Sequence, residues 1–188
     1  MNRWLVLAVL LTPVLFWAGC AATRAGYESP DYTASDQDGN FEIRTYPALP
    51  VVSTTGNGMN SSFGRLFKFI TGANQAEQKI AMTTPVFMDG EGADTMSFVV
   101  PQEVADAGTP EPTADNVSLR SLPGGTFAVL RFKGDRNSEA PAKALAELKS
   151  IALQKGFTLT GKPRYAYYDP PWTPQTFRRN EVMLQLSE

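Results

Sequence analysis

An α+β fold is predicted by three observations: nine short runs rich in β-branched and aromatic residues, two stretches with helical spacing, and a block of residues that recurs in register. The expected architecture is a distorted antiparallel β-barrel of about eight strands. It is built from two β-β-α-β-β units, with two flanking helices.

The strand-like runs are 41–46, 50–55, 80–88, 95–100, 117–122, 126–132, 157–160, 164–168 and 181–186, each bounded by Gly, Pro, Asn or Asp. A first helix opens at Asn60 as N-cap and sets Phe63, Leu66, Phe67 and Ile70 on one face until Thr71-Gly72 ends it. The second begins at Ser138, carries Leu145, Leu148, Ile151 and Ala152 on one stripe, and stops at Gly156. Asp89, Glu91, Asp94, Glu103 and Asp106 fall in loops.

The recurrence lies in Phe41-Glu-Ile-Arg44-Thr-Tyr-Pro47 and Val117-Ser-Leu-Arg120-Ser-Leu-Pro123, which share apolar-x-apolar-Arg-x-apolar-Pro at an offset of 76 residues. Gly56 to Pro85 and Gly134 to Pro163 both span 29 residues, each with one predicted helix inside.

The chain has 188 residues, one cysteine and no histidine. Without imidazole there is no Ser/His/Asp or Cys/His nucleophile pair, no histidine general base, no His-bearing zinc site and no His-ligated haem. No carboxylate pair stands where it would mark an acid/base couple, so catalysis is not expected. A formal net charge of −2, without a long basic run, excludes an electrostatic footprint for nucleic acid.

Arg3 followed by the apolar stretch Trp4–Trp17 has signal-peptide proportions, too short to span a bilayer comfortably. Trp17-Ala18-Gly19-Cys20 then resembles a bacterial lipobox, with Trp17 where that signal usually has Leu. The resemblance implies cleavage before Cys20, acylation of its thiol, and an outer-membrane address from Ala21. Residues 1–19 are therefore expected to be a cleaved lipoprotein signal, 20–29 a lipidated tether and 30–188 the folded domain, anchored in the cell envelope and facing the periplasm.

Several segments are similar to the SOUL haem-binding-protein family. They are Glu28-x-Pro30-x-Tyr32, Phe41-Glu-Ile-Arg44-x-Tyr46-Pro47, Phe69-Ile70-x-Gly72-x-Asn74, Lys79-Ile80-x-Met82-Thr83-x-Pro85-Val86, Phe98-Val99-x-Pro101, and Tyr168-Asp169-Pro170-Pro171-Trp172-x-Pro174 with Arg178-Arg179-Asn180-Glu181-Val182. The resemblance implies a barrel with two helices and haem or another tetrapyrrole as ligand, held by apolar contact near the first helix with a basic residue at the propionates. On that basis Phe63, Leu66, Phe67 and Ile70 are candidate pocket residues, and Arg65 and Lys68 candidate propionate partners.

Met82 is a candidate contact able to offer a thioether, as Met88 and Met96 could, and the phenols of Tyr165, Tyr167 and Tyr168 are further possible iron ligands. Trp172, on a loop stiffened by three prolines, is a candidate stacking platform. Thr173 stands where some haem-binding members have Lys, and a histidine proposed as iron ligand in some members is missing. The residues leave open a binding module for another apolar small molecule or lipid, an enzyme, or a protein-binding envelope component. The ion-rich Arg178-Arg179-Asn180-Glu181 stretch is expected to brace its loop.

Overall fold

The computed structural model describes residues 26–56, 58–90 and 95–187. Nine strands form one antiparallel sheet: β1 Thr33–Asp38, β2 Phe41–Tyr46, β3 Leu49–Thr55, β4 Val86–Asp89, β5 Thr95–Val99, β6 Ser118–Leu122, β7 Gly125–Phe132, β8 Leu159–Tyr167 and β9 Asn180–Leu186. Their order is β1-β2-β7-β9-β8-β4-β5-β3-β6. Three α-helices among the described residues accompany them: α1 Met59–Ile70, α2 Gln102–Ala107 and α3 Ala140–Gln154.

The sheet is curled but open, which corrects the expectation of a barrel. β2 and β3 are joined only by Pro47-Ala48, yet lie six positions apart in the sheet, so the sheet must bend back on itself. At that bend the link 123–124 passes so close that a Cβ on Gly124 would lie 2.7 Å from the Ala48 nitrogen. Closure fails because β1 occupies the outer edge of β2 and leaves β6 paired only with β3.

Alternation along the strands buries both faces. Phe41, Ile43, Leu130, Val182, Leu184, Tyr165, Met88, Met96 and Phe98 turn toward the helices and pack with Leu66, Phe69 and Ile70 of α1 and Leu145 and Leu148 of α3. Tyr46, Val51, Phe87, Leu122, Phe127, Val129 and Met183 form a second core inside the curl. α1 rests on β3 and β5, and α3 on β7, β8 and β9. Each fully buried Leu or Phe stabilises the fold by about 1.5–3 kcal/mol relative to exposure.

The local differences from expectation have identifiable causes. β1 (Thr-Ala-Ser-Asp-Gln-Asp) lacks apolar alternation; its ladder to β2 and the ion pairs of Lys155 with Asp36 and Asp38 hold it. Within 80–88 the strand begins only at Val86, because Pro85 has no N–H to give a ladder; before it Thr83 makes just an isolated bridge to Glu28. The runs 157–160 and 164–168 join as β8, with the register shifted between Thr160 and Arg164, where Gly161 takes φ 76°. Gly58 rather than Asn60 precedes α1. Glu103 and Asp106 lie on α2 rather than in a loop, and Ser138 Oγ accepts the Ala140 N–H just ahead of α3.

Candidate ligand-binding face and the buried ionic cluster

α1 forms because residues three and four apart share a face. Ser62, Leu66, Phe69 and Ile70 point into the protein and are buried. Leu66 is 0% exposed, so it and Ile70 are core residues rather than the pocket wall expected of them.

One turn apart on the flank of the same helix, Phe63 and Phe67 are 38% and 47% exposed. Their rings stack at 5.9 Å and 15°, and Phe63 meets Phe98 edge-on at 5.3 Å. Cross-strand register extends this strip from Phe98 to Val86 and from Val86 to Tyr167. Met59, one turn before Phe63, is half-buried at its margin. At ~4.8 Å between strands, Phe98 and Tyr167 stand roughly 10 Å apart, so the apolar strip that surfaces at Phe63 and Phe67 continues toward β8 as buried core.

Lys68 follows Phe67 in the last turn of α1 and is exposed. Arg65 is already engaged: Nη1 donates to Thr54 Oγ1 at 3.0 Å and Nη2 to Ser61 Oγ at 2.8 Å. It ties α1 to β3, so Lys68 is the better-placed of the two expected propionate partners. Met82 is half-buried against the helix-side core, while Met88 and Met96 are 2% and 1% exposed and cannot reach a ligand on this face. Trp172 is 83% exposed on its loop and has no ring contact with Phe63 or Phe67. The structure thus brings together Phe63, Phe67 and Lys68. Phe98 and Tyr167, 2% and 8% exposed, are core residues that back this face from beneath, with half-buried Val86 between them, as their strand alternation indicates.

On the opposite face lies a cluster that sequence reasoning did not single out. Arg44 is 0% exposed; Nε donates to Glu42 Oε2 at 2.9 Å, and Nη1 to Glu181 Oε2 at 2.7 Å and to Tyr46 Oη at 3.1 Å. Arg179 and Arg131 close on Glu181 at 2.8 and 3.4 Å. The Tyr168 hydroxyl donates to Glu181 at 2.8 Å, and the Tyr32 ring lies 4.4 Å from the Arg44 guanidinium.

Burial by itself would raise the Glu181 pKa, but Arg44 and then Arg179 outweigh it and hold the carboxyl at about 2. Burial pushes Tyr46 up to about 12 against the pull of Arg44. Burial likewise raises Tyr168 far above the ordinary phenol range. The signal for this cluster was Glu42, Arg44 and Tyr46 at alternate positions of one strand, a spacing that usually denotes a solvated face.

The ion-rich stretch 178–181 braces its loop, as expected. Arg178 donates to Asp135 at 2.7 Å, to the Thr173 carbonyl at 2.8 Å and to the Pro171 carbonyl. Beside it, Asn40, Arg131, Phe132, Lys133, Thr176, Phe177, Arg178 and Arg179 line a basic cleft of about 300 Å³. Among the described residues no three His, Cys, Asp or Glu side chains are placed to hold a metal ion. No helix among them is long and apolar enough to cross a membrane. Cys20 lies outside the described residues.

A family model described as SOUL heme-binding protein matches residues 27–185. The chain belongs to the SOUL heme-binding protein family. It is 30% identical over 182 residues to Heme-binding protein 2 of Homo sapiens, covering 89% of this chain and 87% of that protein. Among solved structures, the EcmrR C-terminal domain superposes with a TM-score of 0.53 at 16% identity, over 84% of this chain and 98% of that one. A hydrolase from Listeria innocua gives 0.55 at 14% identity, over 81% and 94%. These two likenesses concern the fold alone.

Proposed function

We propose that this SOUL-family protein binds haem or a similar tetrapyrrole non-covalently on the α1 face, as a lipid-anchored carrier, buffer or scavenger of the cell envelope rather than as an enzyme. The observation that carries the reading is the stacked, half-exposed Phe63–Phe67 pair beside Lys68. It offers a flat apolar surface with a cation at its end, complementary to a macrocycle bearing carboxylates. The name of the human relative, Heme-binding protein 2, supports the ligand class.

The residues present fit the porphyrin better than its iron. The chain has no histidine, and Tyr165 and Tyr167 are 4% and 8% exposed. Binding then rests on apolar contact, at ~25 cal/mol per Å² before ordering costs, with Lys68 toward a propionate. Exchangeable binding suits carriage.

Titrating the purified protein with haemin tests this. A saturable, shifted Soret band that Phe63→Ala weakens is expected; no shift overturns the reading. The lack of imidazole favours one alternative, an apolar small molecule or lipid without haem affinity, and mass spectrometry of what co-purifies from native membranes separates the two. The anchor is carried by Cys20 within its lipobox-like segment. Metabolic labelling with a radioactive fatty acid, lost in Cys20→Ser, tests it.

We also infer that the two halves of the fold are related units. With the edge strand β1 set aside, exchanging β2 with β6, β3 with β7, β4 with β8 and β5 with β9 returns the same sheet order reversed. Superposing the two halves tests this.

A further inference from the structure

The chain enters the folded domain beside the loop that carries Trp172. Glu28 bridges Thr83, its carbonyl accepts the Thr84 N–H at 2.8 Å, and Ser29 Oγ lies 3.0 Å from Thr84 Oγ1. Two residues later Val86 pairs with Tyr167, the last residue of β8, after which the loop 168–179 begins. At ~4.8 Å per strand spacing, Glu28 and the start of that loop lie within roughly 10 Å of each other. Glu28 lies eight residues along the chain from Cys20. Fully extended they reach at most about 28 Å, so a lipid on Cys20 would keep the bilayer close to this end of the molecule.

At this same end three large aromatics are open to solvent: Trp172 at 83%, Phe177 at 69% and Tyr27 at 44%. Trp172 sits on a braced loop. The Thr173 N–H donates to the Pro170 carbonyl at 3.0 Å, Arg178 Nε donates to the Thr173 carbonyl at 2.8 Å, and the Gly134 N–H to the Gln175 carbonyl at 3.3 Å. The backbone around the indole is held while the indole itself is 83% exposed. An indole pairs an apolar body with one N–H, the chemistry that accumulates at membrane–water interfaces.

We propose that this end is a membrane-docking face, with Trp172 seated in the headgroup region and Phe177 and Tyr27 beside it, so that lipid and loop together set the orientation of the domain. The proposal rests on the lipid anchor proposed above. Charges here are mixed: Arg178 pairs with Asp135 and the Arg179 N–H donates to Asp169, while Glu28 accepts the Gln102 N–H at the start of α2, which carries Glu103 and Asp106. Docking therefore relies on the aromatics and needs no anionic lipid.

Cleavage after residue 19 removes Trp4 and Trp17 and leaves Trp172 as the only tryptophan of this sequence, so fluorescence excited selectively in tryptophan reports this side chain alone. Ligand-free lipidated protein is reconstituted into phosphatidylcholine vesicles and floated. It is then compared in vesicles brominated near the headgroup and in vesicles brominated deep in the acyl chain. The expected result is flotation with blue-shifted emission, quenched most by the shallow bromines. Flotation with water-like, unquenched emission overturns the docking face and leaves the anchor standing. Failure to float overturns the anchor and the docking face with it. A Trp172 emission that haemin quenches but lipid bromines do not marks a lid over the ligand, and also overturns the proposal.

Discussion

On the helix-bearing face of the sheet, α1 leaves Phe63 and Phe67 more than a third exposed beside Lys68, which has no ion pair among the described residues. On the opposite face Arg44, Glu42 and Glu181 are 0%, 6% and 0% exposed, and their charges are matched by one another and by Arg131 and Arg179. Both regions are polar and aromatic mixtures on the same sheet. The difference is satisfaction: the inner cluster has used its hydrogen-bonding capacity, whereas the outer strip keeps apolar surface and a cation in reserve. The first arrangement serves stability, and the second is the one proposed to bind a ligand.

Substitution of the inner cluster gives the largest expected effect. Arg44→Met leaves Glu42 and Glu181 buried without their main partner and should destabilise the fold by about 3–5 kcal/mol, read as a lower urea midpoint. Haemin affinity of whatever folded protein remains should be unchanged; a ligand-specific loss would erase the distinction drawn here.

Acid titration probes the same cluster. Glu181 is held at about 2 against an ordinary 4.5, so its contribution, on the order of 3 kcal/mol, is fully present above pH 4.5 and is lost as pH falls toward 2. Unfolding curves between pH 6 and 2 check this. In Glu181→Gln the acid dependence should flatten.

The outer strip should respond in the opposite sense. Phe63→Ala and Phe67→Ala each remove a half-exposed ring and should weaken haemin binding by about 10- to 100-fold, with little change in urea midpoint. A large loss of stability without loss of affinity would make both rings core residues.

Lys68→Ala is the smallest expected effect. As a solvated cation it should contribute about two- to five-fold in affinity, and the difference should shrink at high salt.

The same contrast explains what could be seen in the sequence. β2 was legible to the residue because Phe41-Glu-Ile-Arg-Thr-Tyr alternates cleanly, and α1 and α3 because Leu66, Ile70, Leu145 and Leu148 repeat at helical spacing. β1 was not, since Thr33–Asp38 has no apolar residue beyond Ala34 and exists through its partner strand. Phe63 and Leu66 look alike in sequence, yet one is 38% exposed and the other 0%; which flank of a helix meets the sheet is settled by tertiary packing. Arg44 and Glu181 are 137 residues apart, and no local pattern joins them. Arg65 read as a ligand cation because its hydrogen bond to Thr54 spans the turn between β3 and α1.

The wide sequence separation within the Arg44 cluster also orders events in time. Synthesis proceeds from the N-terminus, so β2 emerges first, while its ladder partner β7 and the strand bearing Glu181, β9, come last. Until residue 181 is available, Arg44 is a cation destined for a dry interior with Glu42 as its nearest acid, and no strand joins β7 to β8. Non-local pairing of this kind slows folding. A chain stopped just before β9 would therefore lose the strand that joins β7 to β8, and more: it would hold its first-made hairpin in a state that cannot be buried, and quality control would meet it as an unfinished protein.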